Sequence, residues 1–222
     1  MTDFSSLSPA QLVRQLGKPE GAVGVEIALR MNALNRRINE AVHDRLELTA
    51  GMRVLEIGFG NGRLLPALMR RAEGLDYVGV DVSPTMVEEA RRFNAPLVAA
   101  GRAAFHLADA ERLPVADASC DRVFAVNVVY FWPDPTRPLS EIRRAVRLDG
   151  VSVVAASAPG IATLMPDLRP EFGFHLRDDR TLVALHEAAG FGRVEVEVLT
   201  ELVPRPDGDP APVKVYLIVA RP

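Results

Sequence analysis

Apolar positions along the chain switch between two periods. From Val25 to Leu48, the residues Ile27, Met31, Leu34, Ile38, Val42 and Leu46 recur three or four apart, which predicts one long helix, and Thr49-Ala50-Gly51 stops it. The pattern then shortens. Arg53 to Ile57 predicts a strand, Gly58 to Gly62 a glycine turn, and Arg63 to Ala72 a return to helical spacing. Tyr77 to Val80 predicts a second strand, ended by Asp81, and Ser83-Pro84 is an N-cap with proline in the first turn of a helix reaching Asn94. Ala104 to Leu107 predicts a third strand and Arg122 to Val129 a fourth. A helix follows over Leu139 to Val146, with Arg147-Leu148-Asp149-Gly150 as its terminating turn, and then a fifth strand over Val151 to Ala156. Residues 157–179 are rich in Pro and Gly and show no period. Arg180 to Ala189 predicts a helix stopped by Gly190, and Arg193 to Val203 and Lys214 to Ala220 predict two closing strands around a Pro/Gly/Asp loop. Ahead of all this, residues 1–24 read as an arm with one short helix around Pro9 to Leu16.

Strands that alternate with helices and are apolar on both faces predict a doubly wound α/β fold with a mostly parallel sheet. The final strand–loop–strand lacks an intervening helix, so that pair is expected to be antiparallel. The expected organisation is an arm and helix over residues 1–48 and a single domain over 49–222. Composition agrees: 222 residues, 48% apolar and 25% charged, suit one packed domain. The 26 basic and 29 acidic residues give a net charge of −3, which leaves no basic footprint for a nucleic acid. The pairs Arg36-Arg37, Arg70-Arg71, Arg91-Arg92 and Arg143-Arg144 fall on predicted helices and read as solvated faces. The single cysteine, Cys120, excludes a disulfide within the chain and reads as a small buried residue. Met1 to Ala10 carries no signal-peptide pattern and no apolar run is long enough to span a membrane, so the expected location is the cytoplasm.

Candidate chemistry gathers at the strand ends. Val54-Leu55-Glu56-Ile57-Gly58-Phe59-Gly60-Asn61-Gly62 follows a strand and opens a helix. In a doubly wound sheet, ligands bind beyond the carboxyl ends of the strands, and glycines let the backbone approach them closely. The nicotinamide fingerprint is G-x-G-x-x-G, which cradles a pyrophosphate. Here the turn is G-x-G-x-G, with an acid, Glu56, two residues before it, and an acid suits a cationic amino-acid group better. Asp81 ends the second strand, where a carboxylate can accept from both hydroxyls of a ribose. Asp109 lies just past the third strand, where it can accept from an adenine amino group. His106, His43 and His186 read as structural, and no His/Cys metal spacing or G-x-S-x-G nucleophile motif occurs.

With these residues in view, the chain from about Met31 onward resembles the class I S-adenosylmethionine-dependent methyltransferases, and more narrowly the ubiquinone/menaquinone-biosynthesis-like small-molecule group. The glycine turn resembles the family's first motif, Val78-Gly79-Val80-Asp81-Val82-Ser83 its ribose-binding strand end, and Ala108-Asp109-Ala110-Glu111-Arg112-Leu113-Pro114 its adenine-side segment. Asp121-Arg122-Val123-Phe124 with Asn127 to Trp132 is similar to the fourth-strand motif beside the reactive methyl group. Arg147-Leu148-Asp149-Gly150 stands where the family often has L-K-P-G-G, without the proline. Met31-Asn32-Ala33-Leu34-Asn35 resembles an N-terminal cover helix. The resemblance implies a seven-stranded Rossmann-like sheet with the last strand antiparallel, and S-adenosyl-L-methionine as cofactor. It implies cofactor contacts from Glu56, Gly58, Phe59, Gly60, Asn61, Gly62, Asp81, Val82, Met86, Asp109, Ala110, Asn127 and Val128, with Asn35 from the cover helix. Tyr130 and His175 are the candidates to hydrogen-bond or deprotonate the acceptor, although a loop histidine is more often a surface residue and Tyr130-Phe131-Trp132 more often a packed patch.

The expected activity is transfer of a methyl group to an O, N or C nucleophile of a small molecule, by in-line displacement that needs alignment above all. Asn127-Val128-Val129-Tyr130 is not the N/D-P-P-Y/F of nucleobase and glutamine N-methyltransferases, which argues with the pI of about 5.9 against a nucleic-acid acceptor. Leu164, Met165, Leu168, Phe172 and Phe174 suggest an apolar or aromatic acceptor. The expected assembly is a monomer or homodimer without a metal. Two rivals stand beside this reading: a non-catalytic S-adenosylmethionine-binding protein and an NAD(P)-dependent oxidoreductase.

Overall fold

A computed structural model describes residues 7–205 and 208–222. The chain opens with α1 (Pro9–Gly17), whose N-cap Ser8 exchanges hydrogen bonds with Gln11 in a capping box, and α2 (Gly21–Arg45). The elements β1 (Arg53–Ile57), α3 (Leu65–Met69), β2 (Asp76–Asp81), α4 (Pro84–Phe93), α5 (Ala95–Ala99), β3 (Ala103–Leu107) and β4 (Cys120–Val126) follow. After them come α6 (Thr136–Ala145), β5 (Val146–Ser157), α7 (Asp179–Ala188), β6 (Arg193–Arg205) and β7 (Gly208–Arg221). The seven strands form one sheet in the order β3-β2-β1-β4-β5-β7-β6. β7 alone runs antiparallel to its neighbours β5 and β6, and the other pairs are parallel. The doubly wound, mostly parallel sheet with its last strand reversed is therefore present as expected.

Alternation along each strand divides the core in two. Leu55, Ile57, Val123 and Ala125 face α6 and α7 through Leu139, Ile142 and Leu182. Val54, Tyr77, Phe124, Val153 and Leu217 face α2, α3 and α4 through Ile38, Val42, Leu46, Leu68 and Val87. Both faces are buried, which is why the strands read as continuous apolar runs rather than as an alternation.

Several boundaries differ from the expectation. α2 begins at Gly21, a turn before Val25, because Pro19 and Gly21 are held in place: Ser83 Oγ donates to the Pro19 carbonyl and the Gly21 N–H to Thr85 Oγ1 at 3.2 Å. The helix expected over Arg63 to Ala72 is only Leu65–Met69, and the 95–99 helix carries too short a pattern to be read. The fourth strand ends at Val126, not Val129. Asn127 takes a left-handed conformation (φ 58°) and residues 129–131 coil into a 3₁₀ turn. Arg147-Leu148-Asp149-Gly150 is not a turn but part of β5, with Val146 paired to Cys120 before an irregularity in register at Cys120/Arg122. The close approach of Gly150 to the Asp121 carbonyl, where a Cβ would stand 2.8 Å away, accounts for the glycine there.

The carboxyl end of α2 is finished by a residue far along the chain. Arg122 is 7% exposed; its Nε donates to the Leu46 carbonyl, Nη2 to Glu47 O at 3.3 Å and Nη1 to Asp121 O at 2.8 Å. A guanidinium on unpaired carbonyls at a helix end is stabilising through both hydrogen bonds and the helix dipole. Arg122→Met keeps most of the volume and strands these carbonyls, so it is expected to lower the unfolding free energy by about 2 kcal/mol in urea denaturation; a change near zero would show that water satisfies them instead.

Candidate functional site

The carboxyl ends of β1, β2, β3 and β4 open into one cavity of about 1210 Å³, roofed by α1 and α2 and closed on its far side by residues 157–174 and the β6–β7 hairpin. Its floor is the glycine turn. Gly58 (φ 74°) sits so close to Val128 that a Cβ would come within 2.2 Å of Cγ1, while Gly60 (φ 60°) points its missing Cβ into open space. The turn is held from the next strand. Asp81 Oδ2 accepts from the Gly60 N–H at 3.0 Å and Oδ1 from the Ser83 N–H at 2.9 Å. Burial nevertheless outweighs these bonds and pushes the Asp81 carboxyl up to about 6.

Glu56 lines the cavity beside Asp81. Its Oε2 accepts from the Tyr77 hydroxyl at 2.6 Å, and Gly79, opposite Glu56 in the β1–β2 register, carries no side chain, so the Phe59 ring and the Tyr77 hydroxyl fit there. Desolvation pushes Glu56 up to about 7; the Tyr77 hydrogen bond opposes the shift and the Asp81 charge adds to it. The two acids thus form an anionic corner that a cation would relieve. Asp109 is exposed at the cavity rim, where its Oδ1 accepts from the Glu111 N–H at 2.9 Å. Val82 and Ala110 line the wall between Asp81 and Asp109.

Two asparagine pairs tie α2 to this floor. Asn32 Nδ2 donates to Asn61 Oδ1 at 3.1 Å, and Asn127 Nδ2 to Asn35 Oδ1 at 3.0 Å. The Nδ2 of Asn61 is shielded from solvent and has no hydrogen-bond partner among the described residues. It leaves a donor at the cavity's edge for a ligand oxygen.

Tyr130 lies against the cavity wall, stacked on Phe174 at 4.4 Å between ring centres. Its hydroxyl donates to Asn127 Oδ1 at 2.8 Å and accepts from the Ser157 N–H, and burial pushes its pKa up to about 12. Such a hydroxyl keeps its proton and fixes the Asn127 turn. The structure brings together Glu56, Gly58, Phe59, Gly60, Asn61, Asp81, Val82, Asp109, Ala110, Asn127, Val128, Asn35 and Tyr130 around the cavity. It does not bring Gly62, Met86 or His175 to its surface. Gly62 is packed against Ala90 and Asn94, and Met86 is fully buried beneath the Ser83 cap. The His175 N–H bonds to the Tyr130 carbonyl at 2.8 Å, but the cavity is lined by its neighbours Gly173 and Phe174. Burial and then Arg177 lower the His175 pKa.

Three organising residues had little or no signature in the sequence. Tyr77 shows only through its spacing, two residues before Gly79 on the same face. Arg177 shows as a lone cation in an aperiodic stretch, yet it donates to the carbonyls of Val129 (3.0 Å), His175 (3.1 Å), Trp132 (2.7 Å) and Pro133 (3.0 Å), fastening residues 157–178 over the end of β4. Glu201 has no signature at all in its alternating strand.

Comparison with known proteins bears on the fold and the domain. Residues 55–154 match the family described as methyltransferase domain. The uncharacterised methyltransferase YdaC of Bacillus subtilis is 28% identical over 75% of this chain and 86% of its own length. The 27-O-demethylrifamycin SV methyltransferase of Amycolatopsis mediterranei is 35% identical over 51% of this chain and 42% of its own. The chain thus spans most of the first relative and under half of the second. A Haloferax volcanii protein solved with the Trm112 methyltransferase activator superimposes with a TM-score of 0.76 at 22% identity, covering 88% of this chain and 93% of that one, which shows the shared fold. The family match covers 100 of the 222 residues, and with the shared fold it supports a class I S-adenosylmethionine-dependent methyltransferase. No helix among the described residues is long and apolar enough to cross a membrane.

The raised acids give a pH signature to the ligand-free protein. Glu56 rises from 4.5 to about 7 and Asp81 from 3.8 to about 6, so between those values the folded chain holds protons that the unfolded chain has released. Their contribution to stability therefore falls as pH rises through this window. Glu56→Gln should stabilise the ligand-free protein more at about pH 7 than at about pH 5, read as a widening gap in melting temperature from the unsubstituted chain; an equal gap at both pH values would refute the shift.

Proposed function

We propose that the protein transfers the methyl group of S-adenosylmethionine to a small molecule with an apolar or aromatic body. One observation carries this reading: a single cavity joins an anionic, glycine-floored half to an apolar half. The residues present fit the donor. Glu56 would face its cationic amino-acid end, Asp81 its ribose hydroxyls and Asp109 its adenine amino group, with Asn61 Nδ2 as a further donor and Gly60 leaving space for close approach. S-adenosylmethionine supplies a methyl carbon already activated on a sulfonium. The protein's own part is alignment and exclusion of water. Asn127 and Tyr130 fix the end of β4, Phe131, Phe172 and Phe174 wall off the far half, and α2 covers the donor half.

Support for a small-molecule acceptor comes from the enclosed shape of the cavity and from the rifamycin-modifying relative, whose name specifies such a substrate. Tyr130, committed to Asn127 and Ser157, acts in this reading as a positioning residue. His175 would reach an acceptor only if residues 173–175 turned inward. The ubiquinone-like grouping, the cytoplasmic location and the assembly as monomer or homodimer belong to the same proposal.

Calorimetry with S-adenosylmethionine, S-adenosylhomocysteine and NAD tests the donor half. Both adenosyl ligands should bind and NAD should not, and Asp81→Ala should weaken S-adenosylhomocysteine at least about tenfold, the scale of losing hydrogen bonds to a charged group. Binding of NAD alone would overturn the assignment, and binding without turnover on any small-molecule extract would leave a cofactor-binding protein.

A further inference from the structure

Among the described residues, the apolar half of the cavity holds a single acid. Arg14 and Lys18 reach its α1 wall and are exposed, but Glu201 of β6 lies inside. Its position follows from the register. Leu199 pairs with Val215, and Val215 with Ser157 at the end of β5. Glu201 therefore stands two residues, about 7 Å, beyond the carboxyl edge on which the methyl donor is read to lie.

This face of β6 meets α2, and two arginines of α2 approach two acids of β6. The two pairs are unlike. Arg45 Nε donates to Glu197 Oε1 at 2.6 Å, and both side chains are well exposed. Arg37 Nε stops 3.6 Å from Glu201 Oε1, outside hydrogen-bond reach; the Arg37 side chain is 69% exposed and that of Glu201 14%. Glu201 Oε1 is shielded from solvent and accepts no hydrogen bond among the described residues. A largely buried carboxylate held by one long ion pair, on a residue that lines an apolar cavity, keeps hydrogen-bonding capacity that the protein leaves unused. A rung serving only to dock α2 would look like the Arg45–Glu197 pair.

We propose that Glu201 anchors the methyl acceptor: its carboxylate takes a hydrogen bond from a hydroxyl or an ammonium group on a molecule whose apolar body lies against Ile161, Met165, Leu168, Phe172 and Val213. The bound molecule is named the acceptor on the strength of the methyl-transfer reading. The anchor itself rests on the cavity and on a carboxylate that is ion-paired at 3.6 Å but whose Oε1 accepts no hydrogen bond among the described residues. An acceptor held at this point presents its remaining surface toward Asn127 and Tyr130 across the same cavity. Selectivity then comes from a single requirement, since a molecule of the same shape without a donor leaves the Glu201 carboxylate without a hydrogen bond.

The test uses the full chain saturated with S-adenosylhomocysteine, with naphthol, naphthylmethylamine and methoxynaphthalene as probes in calorimetry. Naphthol and naphthylmethylamine are expected to bind about tenfold tighter than methoxynaphthalene. Glu201→Ala should bring all three within about twofold, and the isosteric Glu201→Gln should remove the ammonium's advantage while retaining part of the hydroxyl's. Arg37→Gln should leave the donor preference in place. A donor preference that survives Glu201→Ala, an equal loss in Arg37→Gln, or no binding of any naphthalene probe to the unsubstituted protein each overturns the proposal. The affinity for S-adenosylhomocysteine, measured in the same samples, separates the two readings. Its absence from the unsubstituted chain defeats the donor assignment, whereas normal affinity with an unaltered probe ranking defeats the Glu201 anchor alone.

Discussion

The hydrogen bond from the Gly60 N–H to Asp81 Oδ2 is the interaction on which the site depends. It joins the turn after β1 to the end of β2, and through Oδ1 and the Ser83 N–H it also sets the start of α4. Ser83 in turn caps α4 at Met86 and bonds to Pro19 in the link before α2. One carboxylate thus sets the glycine floor, the neighbouring helix and the roof. The protein keeps this carboxylate in place against the penalty of burial, which is visible in the raised pKa of Asp81 and of its neighbour Glu56. A binding site for a cation is an economical way to hold two such acids close together, because the ligand supplies the charge that the fold withholds.

Much of this was legible in the sequence, for identifiable reasons. Strands buried on both faces give unbroken apolar runs, and glycines that need positive φ occur in a row after the first of them, so β1, the turn and the acids at the next two strand ends could be read together. The end of β4 could not. Val126-Asn127-Val128-Val129 has the composition of a strand, and the contacts of Asn127 with Asn35, Tyr130 and the Ala155 carbonyl hold it in a left-handed turn. The same holds for residues 157–178, whose course is set by Arg177 reaching carbonyls some 45 positions earlier in the chain. Tertiary hydrogen bonds decided these stretches, and a local pattern carries no trace of them.

The candidate acid–base residues show the same division. Tyr130 follows β4 and lines the cavity, and its hydroxyl is committed to Asn127 and Ser157. Glu201 was invisible because Glu195, Glu197 and Glu201 alternate in β6 like ordinary solvated charges. Only the sheet order, which inserts β7 between β5 and β6 and carries their hairpin past the carboxyl edge, separates Glu201 from the others.

The roof has a kinetic meaning. Along residues 21–35, α2 is tied down by Asn32–Asn61, Asn35–Asn127 and the Gly21–Thr85 contact, all between neutral groups, while Arg37 and Arg45 further along it pair with Glu201 and Glu197 of β6. A ligand that enters or leaves beneath α2 must part these bonds, each modest, in a single opening event. Neutral amide and hydroxyl contacts are not screened by dissolved ions, so salt loosens the ion-paired end of α2 and leaves the asparagine contacts to be opened by warming. A ligand beneath such a cover would leave by parting the side chains of four asparagines, a step set by temperature more than by the ionic medium around the protein.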